Sequence, residues 1–75
     1  MEDEKAKIKV EYNNGEIEII GNRAGLNWLS DACAGLADLT AEEAKTAANH
    51  YHILAGVGPG TEDTLDAIIL FKPDL

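Results

Sequence analysis

From Lys7 to Ile20 apolar and polar residues alternate with a period of two. Ile8, Val10 and Tyr12 share one side, with Lys7, Lys9 and Glu11 on the other, and Glu16-Ile17-Glu18-Ile19-Ile20 repeats the pattern. Such alternation marks half-buried strands. Between the two runs lies Asn13-Asn14-Gly15, and Asn-Gly suits a tight type I′ turn because both central positions need positive φ. The pattern predicts a hairpin with Ile8, Val10, Ile17 and Ile19 facing a core. The period then lengthens. Leu26, Leu29, Cys33, Leu36 and Ala37 recur at offsets of three and four, predicting a helix from Arg23 to Leu39 with that stripe turned inward. Asn22 stands where an N-cap belongs, and Trp28 falls roughly 120° from the middle of the stripe. Flanking core and partner-facing aromatic are both open to it.

Thr40-Ala41-Glu42-Glu43 has the form of a capping box, leaving room for a short extra helix over residues 40–48. Asn49 to Leu54 alternates again, with His50 and His52 on one face. Residues 55–64 hold Gly56, Gly58, Pro59 and Gly60 and read as a loop. Leu65 to Phe71 is apolar on both faces, and Pro73 ends it. The order is ββαββ. The fold class expected is α+β in a single domain over residues 1–75: a four-stranded mixed sheet with one long helix packed on one face. A right-handed crossover would set the third strand parallel to the second. The uncovered face would show Ile20, Ile68 and Leu70, a surface for a second copy of the chain.

Charge narrows the function. Six basic against fourteen acidic residues give a net charge of -8, which argues against a nucleic-acid ligand, since phosphates are met by Lys and Arg. Arg23 is the only basic residue from Val10 to Ala44. Such a field serves solubility or steers a basic protein partner. The candidate contacts are the acids Glu16, Glu18, Asp31 and Asp38, with Trp28 as an aromatic anchor. A single cysteine excludes an internal disulfide and suits a reducing compartment. The start Met-Glu-Asp-Glu is unlike a secretory leader, and no stretch has membrane-spanning length. A cytoplasmic location without membrane contact is expected.

Chemistry is sparse. His50 and His52 project from one face of a strand and are candidates for sharing a metal, although zinc motifs supply further ligands at set spacings that are missing here. Cys33, on the apolar stripe, is expected to be a buried and unreactive thiol. Gly21-Asn22-Arg23-Ala24-Gly25 lacks the spacing of a phosphate-binding loop. Glu42-Glu43 and Glu62-Asp63 have no apolar pocket to raise a carboxyl pKa for acid catalysis. No enzyme and no cofactor are expected.

In order and spacing, Gly15-Glu16-Ile17-Glu18-Ile19, Gly21-Asn22-Arg23-Ala24-Gly25-Leu26, His50-Tyr51-His52 and the strand around Leu65 to Ile69 resemble the immunity protein 32 family of bacterial polymorphic toxin systems. The resemblance implies a small cytoplasmic protein that binds a cognate toxin, here expected to be basic, and blocks it. It transfers no catalytic or ligand residue to this chain. The long connection from Thr40 to Asn49 and the Gly-rich segment after Leu54 depart from the family pattern. A small homodimeric interaction module of unknown partner, and a metal-binding protein using His50 and His52, are the competing readings.

Overall fold

The computed structural model describes residues 4–75. Strands β1 (Ile8–Asn13) and β2 (Glu16–Gly21) pair antiparallel, with Val10 opposite Ile19 and Glu11 opposite Glu18. Asn14 and Gly15 adopt φ of 53° and 83°, as the turn chemistry requires. Helix α1 (Arg23–Ala37) follows at once. The segment over 40–48, which left room for a short extra helix, holds two single 3-10 turns, Glu43–Lys45 and Ala47–Asn49. The capping box forms as expected: Glu43 N–H donates to Thr40 Oγ1 at 3.1 Å, and Thr40 N–H donates to Glu43 Oε1 at 2.8 Å. Strands β3 (His50–Ile53) and β4 (Ala67–Leu70) then pair antiparallel, Ile53 opposite Ala67.

The α+β class matches expectation, but the single four-stranded mixed sheet does not form. Two separate two-stranded antiparallel sheets take its place, and β3 pairs with β4 rather than running parallel beside β2. The cause lies at the outer edge of β1, which is covered by residues 59–65. Ile8 N–H donates to the Pro59 carbonyl at 2.7 Å, Thr61 N–H to the Ile8 carbonyl at 3.0 Å and Leu65 N–H to the Val10 carbonyl at 2.8 Å. Val10 N–H finds the Thr64 hydroxyl at 2.6 Å. A proline without an N–H and a side chain in place of backbone keep this strip from becoming a regular strand. It joins the two hairpins without merging their ladders.

Ile8, Val10 and Ile53 form the buried centre, with Trp28, Leu29, Ala67 and Ile69 packed against it. The inward face of α1 is not the expected stripe. Gly25, Ala32 and Leu36 are buried and Trp28 and Leu29 half-buried, while Leu26, Cys33 and Ala37 are exposed. The helix is turned by roughly 80° from the predicted orientation. Gly25 explains why. A Cβ there would overlap the Lys7 carbonyl, so the helix start can approach β1 only on its glycine side, and Trp28 follows one turn later. The exposed Cys33 corrects the expectation of a buried thiol. A second correction concerns the hairpin: Ile17 and Ile19, expected in the core, are exposed. The helix springs from the base of β2 and covers the base of the hairpin, where Ile8 and Val10 lie, leaving the turn end uncovered.

Candidate protein-interaction surface

The sequence Gly-Asn-Arg-Ala-Gly-Leu builds the joint that aims the hairpin. Asn22 Oδ1 caps α1 by accepting from Gly25 N–H at 2.7 Å and also accepts from Lys7 N–H at 3.1 Å, while Asn22 Nδ2 donates to the Lys5 carbonyl at 2.8 Å. One side chain thus ties helix start, β2 and the approach to β1 together. Beyond this joint the hairpin projects with two unlike faces. On one, Tyr12, Ile17 and Ile19 are 66%, 61% and 56% exposed. On the other stand Glu11, Glu16 and Glu18.

Electrostatically that second face is under-compensated. Glu11 and Glu18 are direct cross-strand partners, and like charges so placed repel. Lys9 answers only one of them, reaching Glu11 at 3.0 Å and Asp63 at 2.9 Å. Among the described residues, Glu16 and Glu18 have no ion-pair partner. The hydrogen bond to Asp63, then that to Glu11, holds the Lys9 ammonium above its ordinary pKa. The Asp63 carboxyl is held below the usual carboxylate range by Lys9 first and by the Thr61 hydroxyl second.

The other expected site residues scatter. Asp31 is exposed on α1, and Asp38 is exposed as its C-cap. Trp28 packs against the core and meets Tyr51 edge-on at 6.0 Å between ring centroids. Ile20, Ile68 and Leu70 are exposed, with Ile68 and Leu70 opposite His52 and His50 on the outer side of the second sheet. The two imidazoles lie edge to face at 4.8 Å, with Asn49 Oδ1 3.1 Å from His50 Nδ1. Among the described residues no three of His, Cys, Asp and Glu gather as a metal group. The apolar row Tyr12, Ile17 and Ile19 was missed as surface. Its alternation signals a buried side in any covered hairpin, and only the short reach of α1 shows otherwise.

These features define a small α+β fold whose most developed surface is a half-apolar, half-acidic hairpin. The family model of immunity protein 32 matches residues 16–73, and the chain belongs to that family. The match begins at the first residue of β2, so β1 lies outside it. Comparison with curated proteins and with solved structures returns no match. No helix among the described residues is long and apolar enough to cross a membrane.

Proposed function

We propose that this protein neutralises a cognate toxin by binding it directly in the cytoplasm, without catalysis of its own, and that the toxin surface it meets is basic. Family membership supplies the toxin-neutralising role. The observation that carries the finer reading is the Glu11–Glu18 pair, a cross-strand repulsion in a site with one shared lysine. Local conflict of this kind is kept where function uses it, and a cation from a partner relieves it. The bordering Tyr12, Ile17 and Ile19 provide apolar area for the centre of a contact. Glu16 and Glu18 are the acids placed to act here; Asp31 and Asp38 contribute to the longer-range field. The test is co-expression with the cognate toxin. Growth rescued by the wild type and lost with Glu16→Lys/Glu18→Lys, both forms being equally folded, is the expected result.

A second reading rests on the exposure of Ile20, Ile68 and Leu70: a homodimer through the outer sheet faces, with or without a toxin. Light scattering at high micromolar concentration decides it, a monomeric mass ruling it out. A role for His50 and His52 in metal binding needs ligands from outside the described residues. Calorimetric zinc titration without stoichiometric heat excludes it.

A further inference from the structure

The two-residue turn fixes which backbone groups of the hairpin point inward and which point out. With Asn13 opposite Glu16 next to the turn, the pairs that exchange ladder hydrogen bonds are 13 with 16, 11 with 18 and 9 with 20, because hydrogen-bonded and non-hydrogen-bonded pairs alternate. The N–H and C=O groups of Ile8, Val10 and Tyr12 therefore point away from β2, and those of Ile17 and Ile19 point away from β1. The structure confirms the first half. Ile8 and Val10 use these groups to bind residues 59–65. On the β2 side, no described residue hydrogen-bonds the outward groups of Ile17 and Ile19. One edge of the hairpin is closed by the chain itself, and among the described residues the other is open.

We infer that the open edge of β2 receives an extended basic strand of the toxin, which joins the hairpin as its third strand. This inference rests on the proposed function and specifies how the contact is made. Backbone groups at Ile17 and Ile19 supply the pairing, as in other cases of strand addition. Specificity follows from side-chain alternation. Added residues facing Glu16 and Glu18 meet uncompensated carboxylates and favour Lys or Arg, while the residues between them lie beside exposed Ile17 and Ile19 and favour apolar side chains. A second copy is the poorer occupant. Each chain carries a net charge of -8, and joining two β2 edges gathers the Glu16 and Glu18 of both copies, each set already beside Glu11. Acidic edges are a recognised guard against self-pairing.

The test uses isotope-labelled full-length protein and a ten-residue peptide of alternating lysine and valine, with a control peptide of the same composition in two blocks. Strand addition predicts that the alternating peptide slows amide exchange at Ile17 and Ile19 at least tenfold, leaves the already paired Glu18 and Ile20 amides little changed, and loses this effect in Glu16→Lys/Glu18→Lys. It also predicts that N-methylating the peptide's pairing amides abolishes the protection. Absence of binding, equal binding of the block peptide, or binding without protection at Ile17 and Ile19 would overturn the inference. Rescue from the toxin persisting in that event would leave direct neutralisation standing by another surface. Failure of rescue alongside peptide binding would instead remove the toxin reading.

Discussion

Thr64 stands in for a missing strand residue. Its side chain is buried, and its hydroxyl both accepts from Val10 N–H at 2.6 Å and donates to the Leu65 carbonyl at 2.9 Å. Thr64→Val keeps the shape and leaves a buried N–H unpaired, so chemical denaturation should show a loss of about 1–3 kcal/mol. Glu18 makes the opposite case. Exchanging it for Gln removes the repulsion with Glu11, and the free protein should gain a few tenths of a kcal/mol, about 0.2–0.5, while association with the toxin slows. A variant more stable and less protective at once separates a binding role from a folding role. A loss of stability would contradict this account of the pair.

The ion pair between Lys9 and Asp63 joins β1 to the strip that closes its edge. Because the Asp63 carboxyl is depressed, its contribution is present above the unfolded value, about 3.9, and is lost as pH falls through the lower folded value. The raised Lys9 group contributes below about 10.4 and ceases to do so as pH rises through its folded value. Carboxyl titration followed by NMR should find Asp63 below the ordinary range in the wild type and back within it in Lys9→Met.

Hairpin, helix and second hairpin differ in how much of each was legible from sequence. The first hairpin and its turn followed from period-two alternation and Asn-Gly, and the helix start followed from Asn22. The inward face of α1 did not. Counting apolar residues favoured Leu26, Leu29 and Cys33, whereas close approach to the Lys7 carbonyl selected Gly25, a constraint of the assembled fold. Sheet assembly was likewise hidden, because the strip from Pro59 to Leu65 satisfies β1 while looking like a loop. The acids of the candidate site were visible in sequence, but the exposure of Ile17 and Ile19 depended on where the helix lies. Substitution separates these regions. Ile8→Ala at the buried base should cost about 2–5 kcal/mol, enough to unfold a fold with so small a core. Ile17→Ser and Ile19→Ser should stay within about 0.5 kcal/mol of wild type. A large loss at Ile19 would show that the hairpin end is covered in solution.

As a body the protein is broad and thin, with extents of 37 × 36 × 17 Å and a radius of gyration of 13.5 Å, against about 11 Å for a compact chain of this length. One helix laid over two small hairpins leaves much surface for its mass, and the net charge is -8, a field that repels like charge and attracts opposite charge. These properties suit a molecule completed by its partner. The most direct measurement is the association rate with the cognate toxin across ionic strength, for wild type and for Glu16→Lys/Glu18→Lys. The wild type should associate fast at low salt and slow steeply as salt rises, and the variant should associate at least tenfold more slowly with a flattened salt dependence. Identical rates and salt slopes for the two proteins would contradict the assignment of the acidic hairpin as the toxin-binding surface.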